Sequence, residues 1–105
     1  MSGTNNFVIT QEEIEGNIKL TVTGHIDSNN AVELECKLDD AVRDCKTSIT
    51  LNMCRVEYLC STGIRVILKA YKIAKTTGYG FGIEKPSDCV KNVLGAVALN
   101  EMLIQ

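Results

Sequence analysis

Tyr58-Leu59-Cys60-Ser61-Thr62-Gly63-Ile64-Arg65-Val66-Ile67-Leu68-Lys69 is the stretch on which the fold of this chain turns. An apolar strand, Ile49-Thr50-Leu51-Asn52-Met53, runs towards it. A helix leaves it, marked by Ile64, Ile67, Leu68, Tyr71 and Ala74 at i, i+3, i+4, i+7 and i+10. Ser61 and Thr62 fall where hydroxyl side chains cap a helix N-terminus, and Gly63 puts no side chain over the backbone. A hydroxyl here is exposed at the positive end of the helix dipole, among backbone N–H groups that lack partners. Such a place favours an anion, so it suits the addition and removal of a phosphate. The plainer reading is that Ser-Thr-Gly is only a cap, and local sequence alone favours it. A role beyond capping has to come from the rest of the chain.

Downstream, the helix is expected to end near Thr76-Thr77-Gly78, with Gly78 as the left-handed residue after the last turn. Tyr79–Glu84 reads as a strand with Phe81 and Ile83 on one face and Gly80 and Gly82 on the other, which allows another layer to approach closely. Pro86-Ser87 opens a helix from Ser87 to Leu94, and Gly95 interrupts it. Residues 96–105 form a second short helix or a final docking segment, and the pattern does not choose between them.

Upstream, Phe7-Val8-Ile9-Thr10-Gln11 reads as a first strand, and Glu15-Gly16-Asn17 as a turn. In Ile18-Lys19-Leu20-Thr21-Val22-Thr23 the apolar residues alternate with polar ones, so part of the sheet has a wet face. Gly24–Asn29 is expected as a loop, followed by a helix from Asn30 to about Cys45. Ala31, Leu34, Leu38, Ala41, Val42 and Cys45 make its apolar stripe, and Asn30 and Glu33 have the spacing of a capping box. Glu33–Lys37 and Asp39–Arg43 are i, i+4 pairs worth about 0.2–0.5 kcal/mol each.

The order β-β-α-β-α-β-α-α predicts an α/β domain spanning residues 1–105. Its sheet is mixed and four- to five-stranded, an N-terminal hairpin followed by parallel strands, with helices mainly on one face. Right-handed crossovers make the later strands parallel. Their strand-to-helix loops, Gly24–Asn29, Cys54–Gly63 and Lys85–Ser87, should then share one edge of the sheet. Asp27 and Ser61 become neighbours at the carboxyl ends of the strands, where such sheets do their chemistry.

Composition narrows the function. A net charge of −2 gives no nucleic-acid footprint. No apolar run approaches the roughly 20 residues of a membrane span, and the polar Met1–Asn6 start carries no signal-peptide core. A cytoplasmic location is expected. Five cysteines, Cys36, Cys45, Cys54, Cys60 and Cys89, are an odd number without a Cys-x-x-Cys pair, which points to reduced thiols. Cys36 and Cys45 are expected to serve as small core hydrophobes. With His25 the only histidine, no metal or cofactor is implied. No paired acid and base or phosphate-cradling glycine loop suggests an enzyme. Arg65, Lys69, Lys72 and Lys75 line the helix after Ser61 with no acid among them. Arg65 and Lys69 face roughly one way, towards an acidic partner or a nucleotide phosphate; the plainer alternative is a solvated face.

Gly24-His25-Ile26-Asp27, a helix, Ile49-Thr50-Leu51-Asn52, and then Tyr58 to Leu68 together resemble the STAS domain of bacterial anti-sigma factor antagonists. The similarity in order and spacing runs from about Phe7 to Leu103, and Ser61-Thr62-Gly63 is its most specific part. In that family the motif serine is phosphorylated by an anti-sigma factor that is itself a serine kinase. The unphosphorylated form binds this kinase and displaces the sigma factor, and a serine phosphatase resets the cycle. By position the resemblance makes Ser61 the phosphoacceptor and puts Asp27 on the partner-binding surface. Cys60, Thr62, Gly63 and Arg65 are the further partner-binding candidates. Many members carry an aspartate where this chain has Cys60. Two other readings compete: a STAS-like scaffold or small-ligand or nucleotide-binding module that is never phosphorylated, and a thiol-based sensor acting through Cys60.

Overall fold

Ile18, Leu20 and Val22 are fully buried, while Lys19, Thr21 and Thr23 between them are only partly covered. The strand they form divides the molecule into a packed side and a wet side. The computed structural model describes residues 7–44 and 48–96. In it β1 (Val8–Ile14) and β2 (Asn17–Ile26) form an antiparallel hairpin. Its two loop residues, Glu15 and Gly16, have φ of 53° and 86°, the left-handed pair that a type I′ turn requires. β3 (Ser48–Leu59) is parallel to β2, and β4 (Gly80–Glu84) is parallel to β3. The sheet is thus mixed and four-stranded, in the order β1-β2-β3-β4.

Two segments expected as loops are strand. β2 continues through Gly24, His25 and Ile26, and β3 continues from Cys54 to Leu59. Alternation misses the second half of β3 because its buried residues change spacing there. Ile49, Leu51 and Met53 lie two apart, but Met53, Val56 and Leu59 lie three apart. Pairing with β2 slips between Thr21 and Thr23 and again between Gly24 and His25, and β3 takes in an extra residue each time. These are bulges, which turn a strand and break its period of two.

Helices α1 (Ala31–Asp44), α2 (Ser61–Thr77) and α3 (Asp88–Ala96) pack into one core with the sheet. Leu34 and Leu38 of α1, Ile67 and Ala70 of α2, and Val90 and Leu94 of α3 meet Leu20, Leu51 and Ile83 there. Each such Leu or Ile contributes roughly 1.5–3 kcal/mol by leaving water. The helices cover the packed side, as expected. Across the other face, Lys19 on β2 reaches over β3 to Glu84 on β4 at 2.7 Å.

The end of α2 is as predicted. Gly78 has φ 88°, its N–H donates to the Lys75 carbonyl, and the Tyr79 N–H donates to the Ala74 carbonyl, a Schellman ending. The buried stripe of α2 is rotated from the expected one. It consists of Gly63, Val66, Ile67, Ala70 and Ala74, leaving Ile64, Leu68 and Tyr71 partly exposed. Cys36 is exposed, not a core residue. Gly95 does not interrupt α3, which runs on to Ala96. The expected helix end at Cys45 and the final segment, residues 97–105, lie outside the described residues.

The third strand-to-helix connection does not share the edge of the other two. Glu84 pairs with Asn52, well short of the end of β3 at Leu59. Ser87 is instead fastened to the bulged half of β3. Its N–H donates to the Met53 carbonyl at 3.1 Å, and its hydroxyl donates to the Val56 carbonyl at 2.7 Å. The same oxygen accepts from the Val90 N–H at 3.2 Å, capping α3.

Candidate functional site

β2 and β3 end side by side, with His25 opposite Tyr58 and Ile26 opposite Leu59. One further backbone bond, from the Cys60 N–H to the Ile26 carbonyl at 3.0 Å, closes the junction. Asp27 follows Ile26 and Ser61 follows Cys60, so the two connections leave the sheet together, as the topology predicts. Gly63 lies buried against this junction. A Cβ on it would stand 2.8 Å from both Ile26 Cγ2 and Leu59 Cδ1. Only a glycine lets the first turn of α2 sit so low on the sheet.

Cys60, and not Ser61 or Thr62, caps α2. Its backbone is extended (φ −82°, ψ 169°) and its Sγ accepts from the Gly63 N–H at 3.4 Å. The reason lies in the length of β3. The strand runs to Leu59, so a single residue separates it from the helix, and only that residue can take the extended conformation of a cap. Ser61 and Thr62 are already helical. Both are exposed, and their hydroxyls have no hydrogen-bond partner among the described residues. The first turn of α2 carries no acidic side chain, so nothing there offsets the positive end of the helix dipole.

Asp27 is occupied by its own helix. Its Oδ1 accepts from the N–H groups of Asn29 at 3.0 Å and Asn30 at 2.9 Å, while Asn30 Oδ1 accepts from the Asp27 N–H at 2.8 Å. This is a reciprocal capping box, three residues earlier than the predicted Asn30–Glu33 box. Asn30 Nδ2 also donates to the His25 carbonyl at 2.7 Å. The predicted grouping of Arg65 with Lys69 is split. Lys69 reaches Glu35 at 3.0 Å and Asp39 at 3.9 Å on α1. The hydrogen bond with Glu35, then the charge of Asp39, hold its ammonium above the ordinary lysine range. Arg65, one turn past Ser61, is exposed and makes no ion pair among the described residues. Lys75 stands 5.4 Å over the Tyr71 ring.

Three residues at the rim escape a sequence reading. His25 Nδ1 lies 3.5 Å from a Glu57 carboxylate oxygen, and the His25 and Tyr58 rings are 6.2 Å apart, with Tyr58 about half exposed. The wider spacing of apolar residues after Met53 is the available signal for Glu57 and Tyr58. A groove of about 740 Å³ between the bulged part of β3 and the start of α3 shares Glu57 with this rim, and is lined by none of the site residues expected from the sequence. Among the described residues no three metal-ligating side chains converge, and no helix is long and apolar enough to cross a membrane.

A family model of the STAS domain matches residues 8–104. A Bordetella bronchiseptica protein named as an anti-sigma factor antagonist, BtrV, is 31% identical over 64 residues, which is 61% of this chain and 55% of that protein. The matched part thus spans about half the length of this curated relative. Among solved structures, the anti-sigma factor antagonist SpoIIAA in its unphosphorylated form is similar with a TM-score of 0.81. The identity is 17%, over 92% of this chain and 86% of that one. The Bacillus cell fate determinant SpoIIAA in its phosphorylated form gives a TM-score of 0.76 at 16% identity, over 92% and 89%. At such identities the structural likeness speaks for the fold.

Proposed function

The chain belongs to the STAS domain family, and from that membership we propose that it is an anti-sigma factor antagonist switched at Ser61. Its unphosphorylated form binds an anti-sigma factor that is itself a serine kinase and so releases a sigma factor. Phosphorylation of Ser61 ends the binding, a serine phosphatase restores it, and the cycle runs in the cytoplasm. The observation that carries this reading is the Ser61 hydroxyl itself, exposed on the first residue of α2 and not used for capping. The existence of a SpoIIAA fold solved with and without phosphate is consistent with it.

The energies suit a switch that acts at an interface. A phosphate adds roughly 1.5–2 negative charges and three acceptor oxygens. At an exposed helix N-terminus it is stabilised by only about 0.3–1 kcal/mol, so the fold barely responds. Left unpaired in an interface, it costs several kcal/mol, by analogy with about 3–5 kcal/mol for breaking a buried charge pair. Reversing a strong preference, 1:99 to 99:1, takes about 5.5 kcal/mol. A phosphate at the centre of the contact comes near that value; one at the rim does not.

The test is incubation with a candidate anti-sigma factor kinase and ATP, followed by mapping of the phosphate. Label on Ser61 that disappears in Ser61→Ala is expected, with Ser61→Ala still binding the kinase and Ser61→Asp binding far more weakly. Phosphate on another residue, or a Ser61→Asp chain that binds as tightly as the parent, rules the switch out.

A further inference from the structure

The outward face of α2 continues the Ser61 surface. Ser61, Arg65, Leu68 and Lys72 are spaced i, i+4, i+7 and i+11 and so form one straight stripe, opposite the buried Gly63, Val66, Ile67, Ala70 and Ala74. Leu68 is only partly covered, and Ile73 beside the stripe is 37% exposed. With Arg65, Lys69 and Lys72 they line a shallow depression of about 360 Å³. Lys69 is answered within the molecule by Glu35 and Asp39. Arg65 and Lys72 make no ion pair among the described residues. The result is an apolar floor between two uncompensated cations, starting at the hydroxyl proposed to be phosphorylated.

We propose that this stripe docks an acidic amphipathic segment of the partner, with carboxylates on Arg65 and Lys72 and apolar side chains on Leu68 and Ile73. This deepens the Ser61 reading and rests on it, adding the chemistry by which the partner is recognised. Charge selects the occupant. A second copy joined by a two-fold axis would set Arg65 and Lys72 against the same cations, and a net charge of −2 disfavours a nucleic acid. The stripe also gives the phosphate a second effect. A phosphate on Ser61 lies one turn before Arg65, the favourable order for an acid and a base on a helix. It draws the guanidinium into a pair within the chain and presents a like charge to the acidic partner. One modification therefore removes a cation from the docking surface and adds an anion, with no movement of the backbone.

The experiment uses the full chain and the kinase that labels Ser61. Affinity is measured at low and high salt for the parent, Arg65→Glu, Lys72→Glu, and Lys91→Glu on α3 as a remote exposed control. Arg65→Gln and Lys72→Gln stand in should a reversal unfold the chain. Each reversal is expected to weaken binding about tenfold or more, with a larger effect at low salt, and the control to stay near the parent. Carbodiimide coupling should join Lys72, and the lysine of an Arg65→Lys chain, to partner carboxylates. If Ser61 is labelled but binding ignores all four changes at Arg65 and Lys72, the docking surface is wrong and the Ser61 reading stands. If no kinase labels Ser61, both fall.

Discussion

The Cys60 N–H donates to the Ile26 carbonyl at 3.0 Å, which ties the start of α2 to the strand that leads into Asp27. Gly63, buried against Ile26 and Leu59, presses the first helical turn onto the same two strand ends. The exposed Ser61 therefore stands on a base that is hydrogen-bonded below and close-packed behind. A charge placed on it has little freedom to shift the helix, and what changes is the surface a partner meets.

Cys60 is a poor cap, because a thiol sulfur is a weak acceptor. Cys60→Asp or Cys60→Ser puts an oxygen in its place and is expected to stabilise the chain by about 0.5–1 kcal/mol, raising Tm by about 4–8 °C per kcal/mol. Ser61→Ala, which removes no cap, should change stability by less than about 0.5 kcal/mol. Urea denaturation of these three variants, and of Cys60→Ala beside them, measures both. A Ser61→Ala loss larger than that of Cys60→Ala would return the capping role to Ser61.

Gly63→Ala sets two effects against each other. Helix propensity favours alanine by up to about 1 kcal/mol, but the new Cβ would lie 2.8 Å from Ile26 Cγ2 and Leu59 Cδ1, and overpacking a core costs about 1–3 kcal/mol. The clash is expected to win and lower the denaturation midpoint. Shortening the obstacle in a Gly63→Ala, Leu59→Val double variant should cost less than the sum of the single changes. Simple additivity would show that the two residues do not compete for the same space.

Much of this is legible in the sequence itself, because the period of the apolar residues is regular where the structure is regular. Ile18, Leu20 and Val22 mark β2, and Gly78 marks the end of α2. The failures share a cause in β3. Its bulges replace a period of two by a period of three, so Cys54–Leu59 reads as a loop. A loop there leaves several residues before α2, and the cap is then assigned to Ser61 and Thr62. Once the strand is carried to Leu59, one residue is left for the cap and both hydroxyls are set free. The choice between the Asp27–Asn30 and Asn30–Glu33 boxes was likewise beyond local spacing, since Asp27, Asn30 and Glu33 are evenly placed three apart. What decides is β2, which ends at Ile26 and makes Asp27 the first residue able to cap.

The Asp27–Asn30 box separates a structural role for Asp27 from a partner contact. Asp27→Ala and Asn30→Ala should each cost about 1 kcal/mol, and the double variant less than their sum, since each side chain serves the other's backbone. Asp27→Asn should cost only a few tenths of a kcal/mol, because asparagine caps as well as aspartate. Were Asp27 solely a partner contact, Asp27→Ala would weaken binding and leave the unfolding curve in place.

Lys19 and Glu84 give the sheet an alkaline limit. The hydrogen bond with Glu84, then the charge of Glu84, raise the Lys19 pKa above its ordinary value. A lysine whose pKa is higher in the folded state binds its proton more tightly there. Its contribution is fully present below the unfolded pKa and is lost as pH rises through the folded one. The informative quantity is the difference between the parent and Lys19→Met, which isolates this one pair from the rest of the chain. That difference should be constant near neutral pH and shrink as pH rises above the ordinary lysine value of about 10.4. Both side chains are partly solvated, so added salt should reduce it as well. A difference that holds through the alkaline range would mean that Lys19 contributes by packing its stem along β3 and not by its charge.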